Sequence, residues 1–142
     1  MDYNDPKFLN IKNSHWLDSG MNPEIIDILS EKGITQFTPV QAEAFLPVLR
    51  RRDVIGRSRT GTGKTLAFGL PALTRLVQHL EEKGFRSERG QMKRGRPVSM
   101  VVLCPTRELA RQVSDELSGV AKPLNLFVDV FHGGVSMEPQ VC

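Results

Sequence analysis

The stretch Ser58-Arg59-Thr60-Gly61-Thr62-Gly63-Lys64-Thr65 holds the residue types needed to grip a polyphosphate. A bound phosphate wants several backbone N–H groups aimed at it from a helix N-terminus, with no Cβ in the way. Gly61 and Gly63 supply the permissive backbone, Lys64 a point charge for the β- and γ-phosphates, and Thr65 a hydroxyl for Mg²⁺. The general phosphate-loop pattern, G-x-x-x-x-G-K-[ST], has glycine where this chain has Ser58. Ser58 is small, and the flanking context fits the motif. Residues 53–56, "DVIG", predict a short strand before the loop. Leu66, Leu70, Leu73, Val77 and Leu80 recur at helical spacing after it. Pro71 falls inside that helix and predicts a kink.

A second group lies at residues 33–41, "GITQFTPVQ". Thr38 and Gln41 form an S/T-x-x-E/Q capping box, with Pro39 at the first helical position. From spacing alone, that structural reading is complete. A glutamine amide can also donate to N7 and accept from N6 of adenine. A third group is "PTRELA", residues 105–110, which reads as a helix start capped by Thr106. "HGG", residues 132–134, reads as a turn leaving a strand, with His132 a turn residue rather than a base. Cys104, at a strand end, reads as core.

These groups need a frame to hold them. "NPEIIDILSEKG" predicts a helix capped by Asn22, with Pro23 at its first position and Gly33 stopping it. "TPVQAEAFLPVLRR" predicts a second, bent or interrupted by Pro47. "VSMVVLC", residues 98–104, predicts a strand buried on both faces. "TRELARQVSDELSGV" predicts a helix with Leu109, Val113, Leu117 and Val120 on one side, and "LFVDVF", residues 126–131, a third strand. Strand, helix, strand, helix, strand implies right-handed crossovers and a parallel α/β sheet. Residues 81–97, "EEKGFRSERGQMKRGRP", predict an exposed basic loop carrying Lys83, Arg86, Arg89, Lys93, Arg94 and Arg96.

Composition sets the outer bounds. With 142 residues, 39% hydrophobic and 25% charged, the chain suits one globular domain. The net charge of +3 is uneven, with four Lys/Arg against seven Asp/Glu in residues 1–50 and fifteen against nine in residues 51–142. A basic second part can face nucleic acid or nucleotide phosphates, or be a mixed solvated surface. No apolar run approaches the roughly 18 residues of a membrane span, so no membrane partner is expected. Asp2 and Asp5 argue against a signal or transit segment at the start. Cys104 and Cys142 lack metal spacing and suggest reduced thiols.

Taken in order, the motifs resemble the N-terminal part of the DEAD-box RNA helicases. Gly33 to Gln41 is similar to that family's Q motif, with the isolated upstream aromatic at Trp16. Residues 58–65 resemble its motif I, Ala-x-Thr-Gly-x-Gly-Lys-Thr, so Ser58 replaces an alanine and Arg59 fills the variable place. "PTRELA" is similar to motif Ia, and Gly133 and Gly134 to the paired glycines that follow. The resemblance spans roughly residues 14–137.

The resemblance implies a P-loop, RecA-like α/β domain, incomplete at its C-terminus: an extension over residues 1–32 and a partial ATP-binding domain over 33–142. It implies ATP and Mg²⁺ as cofactors. Trp16 and Gln41 would sit at the adenine, and Ser58, Arg59, Thr60, Gly61, Thr62, Gly63, Lys64 and Thr65 at the phosphates. Lys64 and Thr65 would serve catalysis, and Thr65 would reach the metal. Pro105, Thr106, Arg107, Gly133 and Gly134 would hold RNA by its backbone, with little sequence preference. It also implies a second RecA-like domain, which supplies an arginine finger, and the acids of Asp-Glu-Ala-Asp; neither occurs in these 142 residues. The chain alone is therefore expected to bind nucleotide weakly without hydrolysing it, and to be a fragment. The expected setting is intracellular, in the nucleus, nucleolus or cytoplasm, with an organelle left open.

Two other readings compete. A P-loop GTPase or small kinase is one. Asn-Lys-x-Asp is absent, however, and the only Asp-x-x-Gly, Asp53 to Gly56, precedes the loop. A truncated, non-enzymatic product that binds RNA or nucleotide is the other.

Overall fold

The computed structural model describes residues 20–87, 90–93 and 97–134. Trp16, Cys142, Arg89, Arg94 and Arg96 lie outside them. Four helices follow in order: α1 (Pro23–Glu31), α2 (Pro39–Leu49), α3 (Lys64–Glu82) and α4 (Arg107–Ala121).

Each helix starts where its capping residues place it. The Asn22 side-chain oxygen accepts from Glu24 N at 2.9 Å, with Pro23 next, and Gly33 turns the chain at φ +72°. Thr38 caps α2 with the full capping box, and Thr106 Oγ1 accepts from Leu109 N at 3.2 Å to open α4. α3 has no side-chain cap; it begins at Gly63, in the left-handed region at φ +77°. Pro47 sits in the last turn of α2, which ends two residues later at Leu49. Pro71 is fully buried, and α3 runs through it as one helix.

The core is a single cluster. Ile25 and Leu29 of α1, Phe45 of α2, Leu70 and Val77 of α3 and Val120 of α4 are fully or almost fully buried, with Leu124 beyond α4. Phe37 packs on Phe45 with ring centroids 5.8 Å apart. α3 is central, packing on both α2 and α4. Of the apolar side predicted for α4, Val113, Leu117 and Val120 are buried, while Leu109 in the first turn stays 38% exposed.

Two expectations need correction. The first concerns the sheet. Residues 53–56, 98–104 and 126–131 form no strand ladder among the described residues. The last two segments flank a cleft of about 640 Å³, closed beneath by Leu73, Leu76 and Leu117. Leu103 and Phe127 are each 91% exposed there, and Cys104 is half-buried rather than core. An apolar run encodes strand preference, but a ladder needs a neighbouring strand to take its N–H and C=O groups. No described segment supplies one.

The second concerns the basic loop. Its first part folds back as a tight hairpin, with Ser87 N to Gln91 O at 2.9 Å and Lys93 N to Phe85 O at 2.9 Å. Arg86 is only 3% exposed. Its guanidinium grips Glu24 of α1 through two bonds, Nη1–Oε1 at 2.9 Å and Nη2–Oε2 at 2.7 Å, and Glu81 of α3 through a third. The hydrogen bond to Glu24, with Glu81 adding to it, raises the Arg86 pKa above its ordinary value against the opposing effect of burial. What read as a solvated cation is the anchor tying the hairpin to two helices.

Candidate nucleotide and nucleic-acid site

The loop 58–65 enters α3 at its N-terminus, where unpaired N–H groups and the helix dipole favour an anion. Gly63 must be glycine for two reasons. Its φ is +77°, and a Cβ there would lie 2.3 Å from Gln41 Nε2. Arg57, which directly precedes the loop, and Arg59 within it are exposed, and among the described residues no carboxylate pairs with either.

In the structure the loop closes on itself. Lys64 Nζ donates to Ser58 O at 2.7 Å and to Arg59 O at 3.0 Å. Thr62 Oγ1 donates to Arg59 O at 2.9 Å and lies 2.7 Å from Ser58 Oγ. Thr62 has one proton and gives it to Arg59, so Ser58 is the donor in the hydroxyl pair. Arg59, whose cation has no role readable from the sequence, contributes here through its carbonyl. Thr60 is exposed beside Gly61, and Thr65 is half-buried in the first turn of α3.

The capping box of α2 is joined to this loop. Thr38 N donates to Gln41 Oε1 at 2.9 Å, which completes the cap. Gln41 Nε2 then donates to Gly63 O at 3.1 Å, and Thr38 Oγ1 to Thr62 O at 2.8 Å. Gln41 is 5% exposed. The sequence showed Thr38 only as a cap; its bond to Thr62 comes from the packing of α2 against α3.

The second group assembles at the N-terminus of α4. Pro105 and Thr106 lead into it, and the Arg107 guanidinium lies against Gly134. A Cβ on Gly134 would sit 2.5–2.9 Å from three Arg107 side-chain atoms, and Gly134 is at φ +84°. His132 is half-buried in the turn and contacts Arg111, a residue outside every motif read from the sequence. Its one sequence signal is a position four residues beyond Arg107, on the same helix face. The two groups share a scaffold: α3 and α4 meet where a Cβ on Gly69 would lie 2.4 Å from Leu117 Cδ2.

Residues 38–141 match the family model described as DEAD/DEAH box helicase. The chain belongs to the DEAD/DEAH box helicase family. It is 41% identical over 122 residues to the rice DEAD-box ATP-dependent RNA helicase 53, covering 86% of the chain. It is 40% identical over 124 residues to a mitochondrial DEAD-box ATP-dependent RNA helicase of Arabidopsis thaliana, covering 87% of the chain. It spans 18% of each of those relatives. Among solved structures it is similar to the RNA helicase Prp28 of Chaetomium thermophilum bound to ADP, with a TM-score of 0.69 and 34% identity over 88% of this chain and 28% of that one. A DEAD box protein of Methanococcus jannaschii matches with a TM-score of 0.62 and 25% identity, over 84% of this chain and 29% of that one. The α/β, RecA-like class expected from the strand–helix order is therefore the fold of this DEAD/DEAH box chain.

Proposed function

We propose that the chain is the nucleotide-binding part of an ATP-dependent RNA helicase, and that it also holds part of the RNA site. The observation that carries this is the joint between Gln41 and Thr38 on one side and Gly63 and Thr62 on the other. A phosphate loop alone says only that phosphate binds. A phosphate loop bonded to a buried glutamine amide ties phosphate binding to a base-reading group. A relative of known structure was solved with ADP bound, which supports the same use here.

In this reading the amides of residues 60–64 face the phosphates, and Lys64 leaves the carbonyls of Ser58 and Arg59 for the β- and γ-oxygens. Mg²⁺, if bound with ATP, would neutralise part of the phosphate charge. Among the described residues no cluster of three or more acids, histidines or cysteines could cage a metal. The Thr65 hydroxyl is the group that would hold it, since a nucleotide-bound Mg²⁺ needs few ligands from the protein. At α4, Arg107 and the N–H groups after Thr106 hold RNA phosphates, and Gly133 and Gly134 let the backbone approach. Contacts of this kind carry no sequence information. Strand separation and hydrolysis require the Asp-Glu-Ala-Asp acids and a second RecA-like domain, which the family resemblance supplies and these 142 residues do not contain.

Titration of the purified protein with fluorescent ADP and GDP tests the nucleotide reading. ADP is expected to bind more tightly, and Lys64→Ala to abolish binding; equal affinity for the two would refute an adenine role for Gln41. In a polypeptide extended through the second domain, RNA-stimulated ATP hydrolysis that survives Lys64→Ala would refute the enzymatic reading.

A further inference from the structure

We infer that Arg111, held in place by His132, is a further phosphate-binding residue that extends by one contact the track begun at Arg107 and Gly134. This rests on the RNA reading above.

Arg111 follows Arg107 by one helical turn, so their Cβ atoms stand about 5–6 Å apart on one face of α4. Both guanidinium groups lean toward the same turn. Arg107 lies over Gly134, and Arg111 Nη2 is 3.0 Å from His132 Nε2. The imidazole tautomer follows from its other nitrogen. His132 Nδ1 is 3.2 Å from Gly133 O, and a carbonyl can only accept, so Nδ1 carries the proton and Nε2 accepts from Arg111.

Arg111 thus meets an imidazole nitrogen rather than a carboxylate. Two carboxylates on its own helix, Glu108 three residues before and Asp115 four after, stand at spacings that commonly form ion pairs. Among the described residues neither pairs with it. Among the described residues, no ion pair compensates the guanidinium charge. Among the described residues only one of its five N–H donors is used, and the side chain is exposed beside the Arg107 site. A planar cationic fork with donors to spare suits a phosphate oxygen pair. The bond to His132 fixes the side chain before the ligand arrives, reducing the entropy lost on binding. Arg107 serves one phosphate and Arg111 the next along a single strand.

The test is the salt dependence of binding to a fluorescent single-stranded oligouridylate by the full-length protein with a non-hydrolysable ATP analogue. Each phosphate contact with a single strand adds about 0.7 to the slope of log K against log salt. Arg111→Gln is expected to reduce the slope by about that amount and the affinity at low salt several-fold, with ADP affinity unchanged. Arg111→Lys is expected to restore the slope but only part of the affinity, since the charge returns without the fork. His132→Ala is expected to leave the slope intact while weakening binding about 2- to 3-fold, because the cation remains but is no longer positioned. A slope unchanged in Arg111→Gln, while the wild type binds RNA, would overturn the role of Arg111 alone. A wild-type protein with no salt-dependent RNA binding would overturn the RNA reading and this inference with it.

Discussion

Ser58→Ala is expected to tighten nucleotide binding. Where the resembled motif has alanine, this chain has a hydroxyl, and in the closed loop that hydroxyl donates to Thr62 Oγ1 at 2.7 Å. The closed loop resists anions. The carbonyls of Ser58 and Arg59 point inward at the Lys64 ammonium. For phosphate to enter, Lys64 must leave them, and the peptide planes that present them must turn their N–H groups in. On this reasoning the Thr62 bond to Arg59 O would break with that rotation, and the Ser58–Thr62 bond with it. Ser58 therefore stabilises the ligand-free form alone, and any such contribution is lost from the apparent affinity.

The magnitude follows from the surroundings. A net intramolecular hydrogen bond is worth about 0.5–1.5 kcal/mol. Ser58 and Thr62 are half-buried, so water can replace the lost donor, and the lower end applies, about 0.5–1 kcal/mol. That corresponds to roughly a 2- to 5-fold gain in ADP affinity. Fluorescent ADP titration of wild type, Ser58→Ala, Thr62→Ala and the double variant forms a cycle. Once Thr62 is alanine, Ser58→Ala should have no further effect. An unchanged affinity would mean that the hydroxyl pair survives in the liganded loop. A weakened one would mean that Ser58 contacts the phosphate. Either result refutes the reasoning.

Gly63→Ala combines a left-handed φ with a Cβ 2.3 Å from Gln41 Nε2, so a tenfold or greater loss of ADP affinity is expected, along with about 1–3 kcal/mol of stability by urea denaturation. Gly134→Ala forces the Arg107 guanidinium aside and is expected to weaken RNA binding about 3- to 10-fold with ADP affinity unchanged, both measured by fluorescence titration. At the hairpin anchor the two ways of breaking the ion pairs should differ. The Arg86 side chain is 1% exposed, but those of Glu24 and Glu81 are 50% and 39% exposed. Arg86→Met leaves carboxylates that water can reach and is expected to cost about 1–2 kcal/mol. The Glu24→Gln/Glu81→Gln pair strands a buried cation and is expected to cost about 3–5 kcal/mol in the same denaturation assay.

What the sequence carried was local. The caps at Asn22, Thr38 and Thr106, the start of α3 at Gly63 and the buried stripe Leu66, Leu70, Leu73, Val77 and Leu80 could all be read because each depends on neighbours within a few residues. Arg86 was misread because a buried arginine looks like any other in a basic run. Its partners are 62 and 5 residues away, and only the fold brings Glu24 to it. The extended segments differ from the expected strands for the converse reason. Their apolar residues gave preference without partners, so the structure holds extended chain where a ladder was expected. Arg111 escaped notice because no motif contains it, and its contact with His132 depends on how the turn at 132–134 meets α4.

Gln41 shows how a local reading and a functional one can be two halves of one arrangement. The capping box and adenine recognition looked like rival uses of a single amide. A glutamine amide has two donors and two lone pairs. The cap takes one lone pair, through Thr38 N, and the loop takes one donor, through Gly63 O. One donor and one lone pair remain, which is what N7 and N6 of adenine require. The cap bond fixes the amide to α2, and the loop bond fixes it to the residue that starts α3. A base held by that amide would be held against the phosphate loop as well, so a nucleotide fitting only one of the two would strain the joint. On this argument Gln41→Glu, which keeps the acceptor for Thr38 N but cannot donate to Gly63 O, should weaken ADP binding more than tenfold while leaving α2 folded by circular dichroism. ADP binding retained at wild-type strength would separate base recognition from the loop.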